Sequence, residues 1–412
     1  MSKISYQTAY LSNGLKVVVF EDHSLPKAVV DILYRVGAKD EDPGLTGFAH
    51  LFEHLMFEGS KHIPSYDRPL QAAGGSNNAF TTQDITNYYL TVPSNQLETA
   101  FWLESDRMLE LGFSQEKLDI QKSVVIEEFK QRYLNQPYGD ARNRLFGLHF
   151  QQHPYQWPTI GKEISHIEQA RLEDVQDFFF GFYAPNNATL VVAGDVQPDE
   201  VFQLAEKWFG PIPSRTLKKK PLPQEPRQTA PREMTVHGNV PFPAVYKMYH
   251  IPGHTEPAYY VADILTDLLS SGKSAILHQH MTRKKKVSPD ASAFPWGHHD
   301  PGALSIEGRV AGNSTVEAYE QALGEALDEL THVSQEVLDR VKGKLEAAFV
   351  MQKTTLMNIA MNIAICDSLG DIELINTTPD IYRSITLDQV KTAAATYLAP
   401  ANSSTLYYLP QA

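Results

Sequence analysis

The sequence of 412 residues predicts a mixed α+β protein made of two homologous αβ domains that arose by internal duplication. Three observations predict this. Strand-like and helix-like patterns alternate along the chain. A stretch rich in Pro, Lys and Arg, PIPSRTLKKKPLPQEPRQTAPRE (211–233), interrupts them near the middle. Beyond it the first half is echoed by the second. The expected divisions are residues 1–212, a linker at 213–233, and residues 234–412.

In the first half, LKVVVFED (15–22) and AVVDILYRVG (28–37) read as strands, with Asn13-Gly14 as the turn before the first. HLFEHLMF (50–57), DRPLQAAG (67–74) and QLETAFWLESDRMLELG (96–112) carry helical periodicity. So does FSQEKLDIQKSVVIEEFKQRYL (113–134), with Ser114 as N-cap and Val124 and Val125 on its packed side. ATLVVAGDV (188–196) is a buried strand.

The echo joins SQEKLDIQKSVVIEEF (114–129) to SQEVLDRVKGKLEAAF (334–349) without a gap, and YAPNNATLVVAGD (183–195) to YLAPANSSTLYYLP (397–410). HLFEHLMFEG (50–59) has a weaker counterpart in DILTDLLSSG (263–272). Asp263, Thr266 and Asp267 then stand where the first half has His50, Glu53 and His54, and Ala348 where it has Glu128. The apolar frame persists while the polar set changes, as expected if that set serves a function confined to the first half.

The net charge of −13 disfavours nucleic acid as a partner, because phosphate binding needs clustered positive charge. Lys218, Lys219 and Lys220 read as a solvated run. The single cysteine, Cys366, allows no intrachain disulfide and reads as a small buried hydrophobe. No run reaches eighteen apolar residues, so no membrane span is expected. The first residues have no leader pattern, so the expected location is cytoplasmic, or periplasmic had a signal peptide been removed.

His50-Leu51-Phe52-Glu53-His54 carries the chemistry. On a helix, residues i and i+4 share a face, so both imidazoles can reach one ion. Glu53 leans over that face and can act as a general base on a water polarised by the metal. Five residues alone leave open a pair of histidines satisfied by their neighbours. A third ligand should be a carboxylate from another helix. QKSVVIEEFKQ (121–131) offers Glu127 and Glu128, which point about 100° apart, so only one can face the site.

HLFEH followed by VVIEEF resembles the pitrilysin (insulinase-type) zinc metallopeptidases, whose inverted H-x-x-E-H motif these residues match. GGSNNAFTTQDITNYYLTVP (74–93), HPYQWPTIG (153–161) and FYAPNNATLVVAGD (182–195) extend the resemblance over nearly the whole chain. It implies one Zn²⁺ per chain, held by His50, His54 and Glu128, with Glu53 as base. Where the family often has a supporting glutamate, this chain has Gln121. The resemblance also implies mainly antiparallel sheets packed with helices. In the family's short members, among them the subunits of mitochondrial processing peptidase, one chain is half of a clamshell, which implies a homodimer or a heterodimer with a related subunit. Asn78-Ala79-Phe80-Thr81 matches the family's edge strand, which adds extended peptide to the sheet.

The family's substrate-holding Arg/Tyr pair maps to Arg283 and Asp290, so the tyrosine is missing. The expected function is a zinc endopeptidase acting on peptides or unfolded segments inside a dimeric chamber. The alternative is a subunit that depends on a partner for activity, or that binds and assembles without catalysis. His278, His280, His298 and His299 lack a carboxylate frame and read as surface or loop residues.

Overall fold

The computed structural model describes residues 3–411, which form two compact units. The first comprises the chain up to Phe129, Trp157–Leu222 and Val350–Asn376. The second comprises Lys130–Gln156, Pro223–Phe349 and the chain from Thr377 on. The units therefore cut across the contiguous halves expected from sequence. Each takes in a helix from the other half.

The first unit holds six strands: β1 (Gln7–Tyr10), β2 (Lys16–Glu21), β3 (Lys27–Tyr34), β4 (Ser76–Thr81), β5 (Thr86–Pro93) and β6 (Ala188–Gly194). Their order is β1-β2-β6-β3-β5-β4, antiparallel except for the pair β2 and β6. Gly14, at φ +89°, makes the turn that Asn13-Gly14 predicts. Val18, Val29, Leu33, Val191 and Ala193 pack on Ile359, Ala360, Ile363 and Ala364 of the helix Leu356–Ser368. Val17, Val30, Ile32, Leu190 and Val192 are buried too. A sheet covered on both faces explains why ATLVVAG reads as an unbroken apolar run. Asp367 fastens that helix: it accepts Thr189 Oγ1 at 2.6 Å and pairs with Lys16 and Arg35.

The second unit holds β7 (Arg232–Gly238), β8 (Ala244–Ile251), β9 (Ser292–Trp296), β10 (Gly302–Arg309) and β11 (Ser403–Pro410), in the order β7-β11-β8-β10-β9. β7 and β11 are parallel and the other pairs antiparallel. This matches β2-β6-β3-β5-β4 strand for strand in order and direction, as a duplication requires. The helix Ala141–His149 supplies Ala141, Leu145 and Phe146 to a core with Ala244, Met248, Ala303 and Leu406.

Several local expectations change. The helix expected over 113–134 runs as Gln115–Phe129 and widens into a π turn, Lys130–Leu134. Ser114 Oγ does accept the Lys117 N–H, at 3.2 Å. Val125 is buried, whereas Val124 is exposed. Within the linker, Lys218, Lys219 and Lys220 are exposed, but Arg215 is fastened to the first unit. Its guanidinium donates to the carbonyls of Tyr183 and Leu109 and lies 4.8 Å from the rings of Phe179 and Phe180. His280 and His298 are buried: His298 lies in a loop, as expected, whereas His280 lies in the π turn His278–Lys284. His280 is held between Glu329, at 2.6 Å, and Glu325, at 3.2 Å. Among the described residues no helix is long and apolar enough to cross a membrane.

Candidate metal centre

The helix Phe48–Leu55 has two faces. Phe48, Leu51, Phe52 and Leu55 are buried, and the Phe52 ring lies 5.1–5.2 Å from those of Phe178 and Tyr183. The rows i, i+3, i+4 that bury these residues turn His50, Glu53 and His54 the other way. The helix begins at Gly47, whose φ of +93° a side chain would strain; a Cβ there would meet the Ile160 carbonyl oxygen at 2.6 Å.

Beside that start sits Glu41, which the sequence reading missed. Its carboxylate accepts the Gly47 N–H at 2.9 Å, the Ala49 N–H at 2.8 Å and the Trp157 Nε1–H at 3.2 Å. Burial pushes its carboxyl up to about 8, against the three donors that favour the charged form. The three donors and the positive end of the helix dipole place the negative end of a carboxyl dipole where it is wanted in either protonation state. The landmark HPYQWPTIG gains a physical role here: Trp157, Ile160 and Gly161 pack around the helix start.

Glu128 comes from the helix Gln115–Phe129. Its Oε2 lies 3.7 Å from His50 Nε2 and 3.5 Å from His54 Nε2. The three residues offer ligand atoms within 4.8 Å of one another, and form the only such His/Cys/Asp/Glu group among the described residues. Glu127, its neighbour, is exposed and outside the group. The separations exceed hydrogen-bond length but suit co-ligands. Atoms about 2.0–2.2 Å from one tetrahedral ion stand roughly 3.3–3.6 Å apart. Two imidazoles and a carboxylate are a donor set that suits zinc and leave a position open. The residues present therefore fit a metal ion, and all lie in the first unit.

Gln121, seven residues before Glu128, donates from Nε2 to Glu58 and ties its helix to the turn that follows the histidine helix. Behind the site, Arg107 is fully buried, paired to Glu104 at 2.6 Å and enclosed by the rings of Phe57, Tyr66 and Tyr88. Tyr66 donates its hydroxyl to the same Glu104.

Glu53 accepts the Thr81 hydroxyl at 2.6 Å. Thr81 ends β4, which pairs with β5 alone and so lies at the sheet edge. On β4, Asn78 Oδ1 accepts the Ala79 N–H at 2.8 Å, and the half-buried Phe80 packs against the core beneath. Arg283 lies in the second unit, exposed in a π turn, with Nε 3.4 Å from His278 Nε2. Asp290 is engaged by Arg309: the Arg309 N–H donates to Oδ1 at 2.9 Å and Nε–H to Oδ2 at 2.5 Å.

Comparison with known proteins bears on this arrangement. The family model for insulinase (peptidase family M16) matches residues 16–160, and the model for the peptidase M16 inactive domain matches residues 169–345. The zinc protease PqqE of Helicobacter pylori is 28% identical over 413 residues, covering 98% of this chain and 93% of that protein. An uncharacterized zinc protease of Bacillus subtilis, YmxG, is 24% identical over 323 residues, 77% of this chain and 75% of its own. Among solved structures, a protease from Helicobacter pylori superposes with a TM-score of 0.91 at 27% identity, covering 98% of this chain and all of that one. A peptidase M16 inactive domain from Pseudomonas fluorescens shares the fold, with a TM-score of 0.87 at 17% identity over 99% of this chain and 98% of that one. His50, Glu53, His54 and Glu128 all fall within the insulinase match.

Proposed function

The chain belongs to peptidase family M16, in its short two-domain form, and on that premise we propose that it is a zinc-dependent endopeptidase. The observation that carries this reading is the convergence of His50, His54 and Glu128 within 4.8 Å, with Glu53 on the same helix. His50, His54 and Glu128 hold the ion. Zinc, when bound, supplies a Lewis acid that makes water nucleophilic at neutral pH and draws charge from a carbonyl oxygen.

Glu53 takes the proton from the attacking water as its oxygen bonds to the scissile carbonyl carbon. It then passes that proton to the amide nitrogen as the C–N bond breaks. The substrate enters as an extended strand on β4, read through the main chain near Asn78 and Ala79. Phe80 is the strand's anchor into the core and contributes position rather than contact.

Replacing Glu53 by Gln tests this. The variant should keep one zinc per chain and lose hydrolysis of an internally quenched peptide by at least about a hundredfold. An active Glu53→Gln protein contradicts the mechanism.

The engagement of Asp290 by Arg309, where the family's tyrosine would stand, favours a second element. We infer that full activity requires a second copy or a related subunit to supply substrate-holding groups, with Arg283 in a supporting role. A partner-dependent subunit predicts low turnover for the isolated chain and a gain on adding its partner. A purely assembling subunit predicts no zinc at all.

A further inference from the structure

We propose that Thr81 is a positioning residue for Glu53, so that the strand receiving the substrate also aims the base. The inference rests on Glu53 being the base.

The Thr81 hydroxyl donates to Glu53 Oε2 at 2.6 Å, a charge-assisted geometry of the stronger kind. Glu53 is half-buried, and its long side chain has more rotamers to fix than that of Thr81. Thr81 has little rotamer freedom. It is β-branched, and its backbone faces Thr86 in the β4–β5 ladder. The hydroxyl is therefore fixed by the sheet while the carboxylate it grips belongs to the metal-binding helix. The hydrogen bond crosses from one element to the other at the residue where β4 ends.

This gives six residues two tasks. The main chain of β4 has no strand partner on its outer side, and a peptide pairing there displaces Asn78 Oδ1 from the Ala79 N–H. The last side chain of the same strand sets the base. A shift of β4 would move the substrate and the base together, which preserves their spacing. Spacing is what such a reaction needs, since a misplacement of about 1 Å costs on the order of a hundredfold in rate.

The test uses Thr81→Val, which keeps the shape and removes the donor, and Thr81→Ser, which keeps the donor. Hydrolysis of a quenched peptide, zinc content and melting temperature are measured for both. Calorimetry gives the affinity of a Gly-Leu hydroxamate, whose acidic proton the base accepts, in the native and Glu53→Gln backgrounds. Expected for Thr81→Val are kcat lower by about 10–100-fold, KM within about twofold, and unchanged zinc and melting temperature. Thr81→Ser should stay within about threefold of the native rate. The hydroxamate should bind about tenfold more weakly to Thr81→Val, with no further loss when Glu53 is already Gln.

Native kcat in Thr81→Val alongside an inactive Glu53→Gln overturns this inference and leaves the base intact. Loss of zinc or of melting temperature in Thr81→Val, or no recovery with Ser, makes Thr81 structural and overturns it too. Native turnover in Glu53→Gln removes the base itself, and this inference with it.

Discussion

Glu41 Oε1 accepts the Ala49 backbone N–H at 2.8 Å, one residue before the first histidine of the metal set. With its other oxygen on Gly47 and Trp157, Glu41 closes the start of the helix that carries His50, Glu53 and His54. Glu41→Ala takes the acceptor from the Gly47 and Ala49 N–H groups, at about 1–3 kcal/mol for each one left unsatisfied, while the Trp157 Nε1–H keeps the Ala38 carbonyl at 3.0 Å. Its melting temperature should fall by several degrees, and a chelator competition should show weaker zinc retention. Glu41→Gln keeps an acceptor and should lose less than half as much.

Gly47→Ala acts at the same place through strain. A left-handed backbone and a carbonyl oxygen 2.6 Å from the new Cβ oppose the substitution. The expected cost is about 1–3 kcal/mol, read in urea unfolding, again with weaker zinc retention.

Asp367 tests the exchanged helix. The residue comes from the second half of the sequence, yet it pairs with Lys16 and Arg35 on the first unit's sheet. Asp367→Ala leaves two cations facing each other at the helix base. It should destabilise the protein by about 3–5 kcal/mol, a loss visible in the urea midpoint.

Asp31 gives the fold a pH dependence. It is fully buried in β3, and burial raises its carboxyl to about 7 despite the Asn87 N–H that it accepts at 2.8 Å. The folded state holds this proton between the ordinary carboxylate range, near 4, and pH 7, whereas the unfolded chain releases it. Stability therefore falls as pH rises through that window, and the penalty is complete above it. The urea midpoint of the metal-free protein should decline from pH 5 to pH 8, and Asp31→Asn should flatten the slope. An equal slope in the variant contradicts the assignment.

The metal helix was legible in the sequence because its chemistry is local: i, i+3 and i+4 face one way on any helix. The third ligand was half legible. Periodicity narrowed it to Glu127 or Glu128, family resemblance chose Glu128, and the structure groups Glu128, not Glu127, with the two histidines. Thr81 and Glu41 were not legible as site residues. Glu53 and Thr81 lie 28 positions apart and Glu41 and Trp157 lie 116 apart, so no period joins them. Val124 fell on the wrong side because a helix with sparse apolar residues fixes its rotation poorly. His280 was read as a surface or loop residue because nothing local announces the two glutamates, 45 and 49 residues on, that hold it. The two sheets were foreseen as a duplication. The helix each unit takes from the other half was not, since a repeat reports likeness and says nothing of where a segment docks.

The most direct measurement is anomalous diffraction at the zinc edge from crystals of the zinc-loaded Glu53→Gln protein. One peak per chain is expected, with His50 Nε2, His54 Nε2 and a Glu128 oxygen at about 2.0–2.2 Å and residue 53 outside the coordination sphere. A peak held by other residues, or no peak from zinc-loaded protein, would contradict the account.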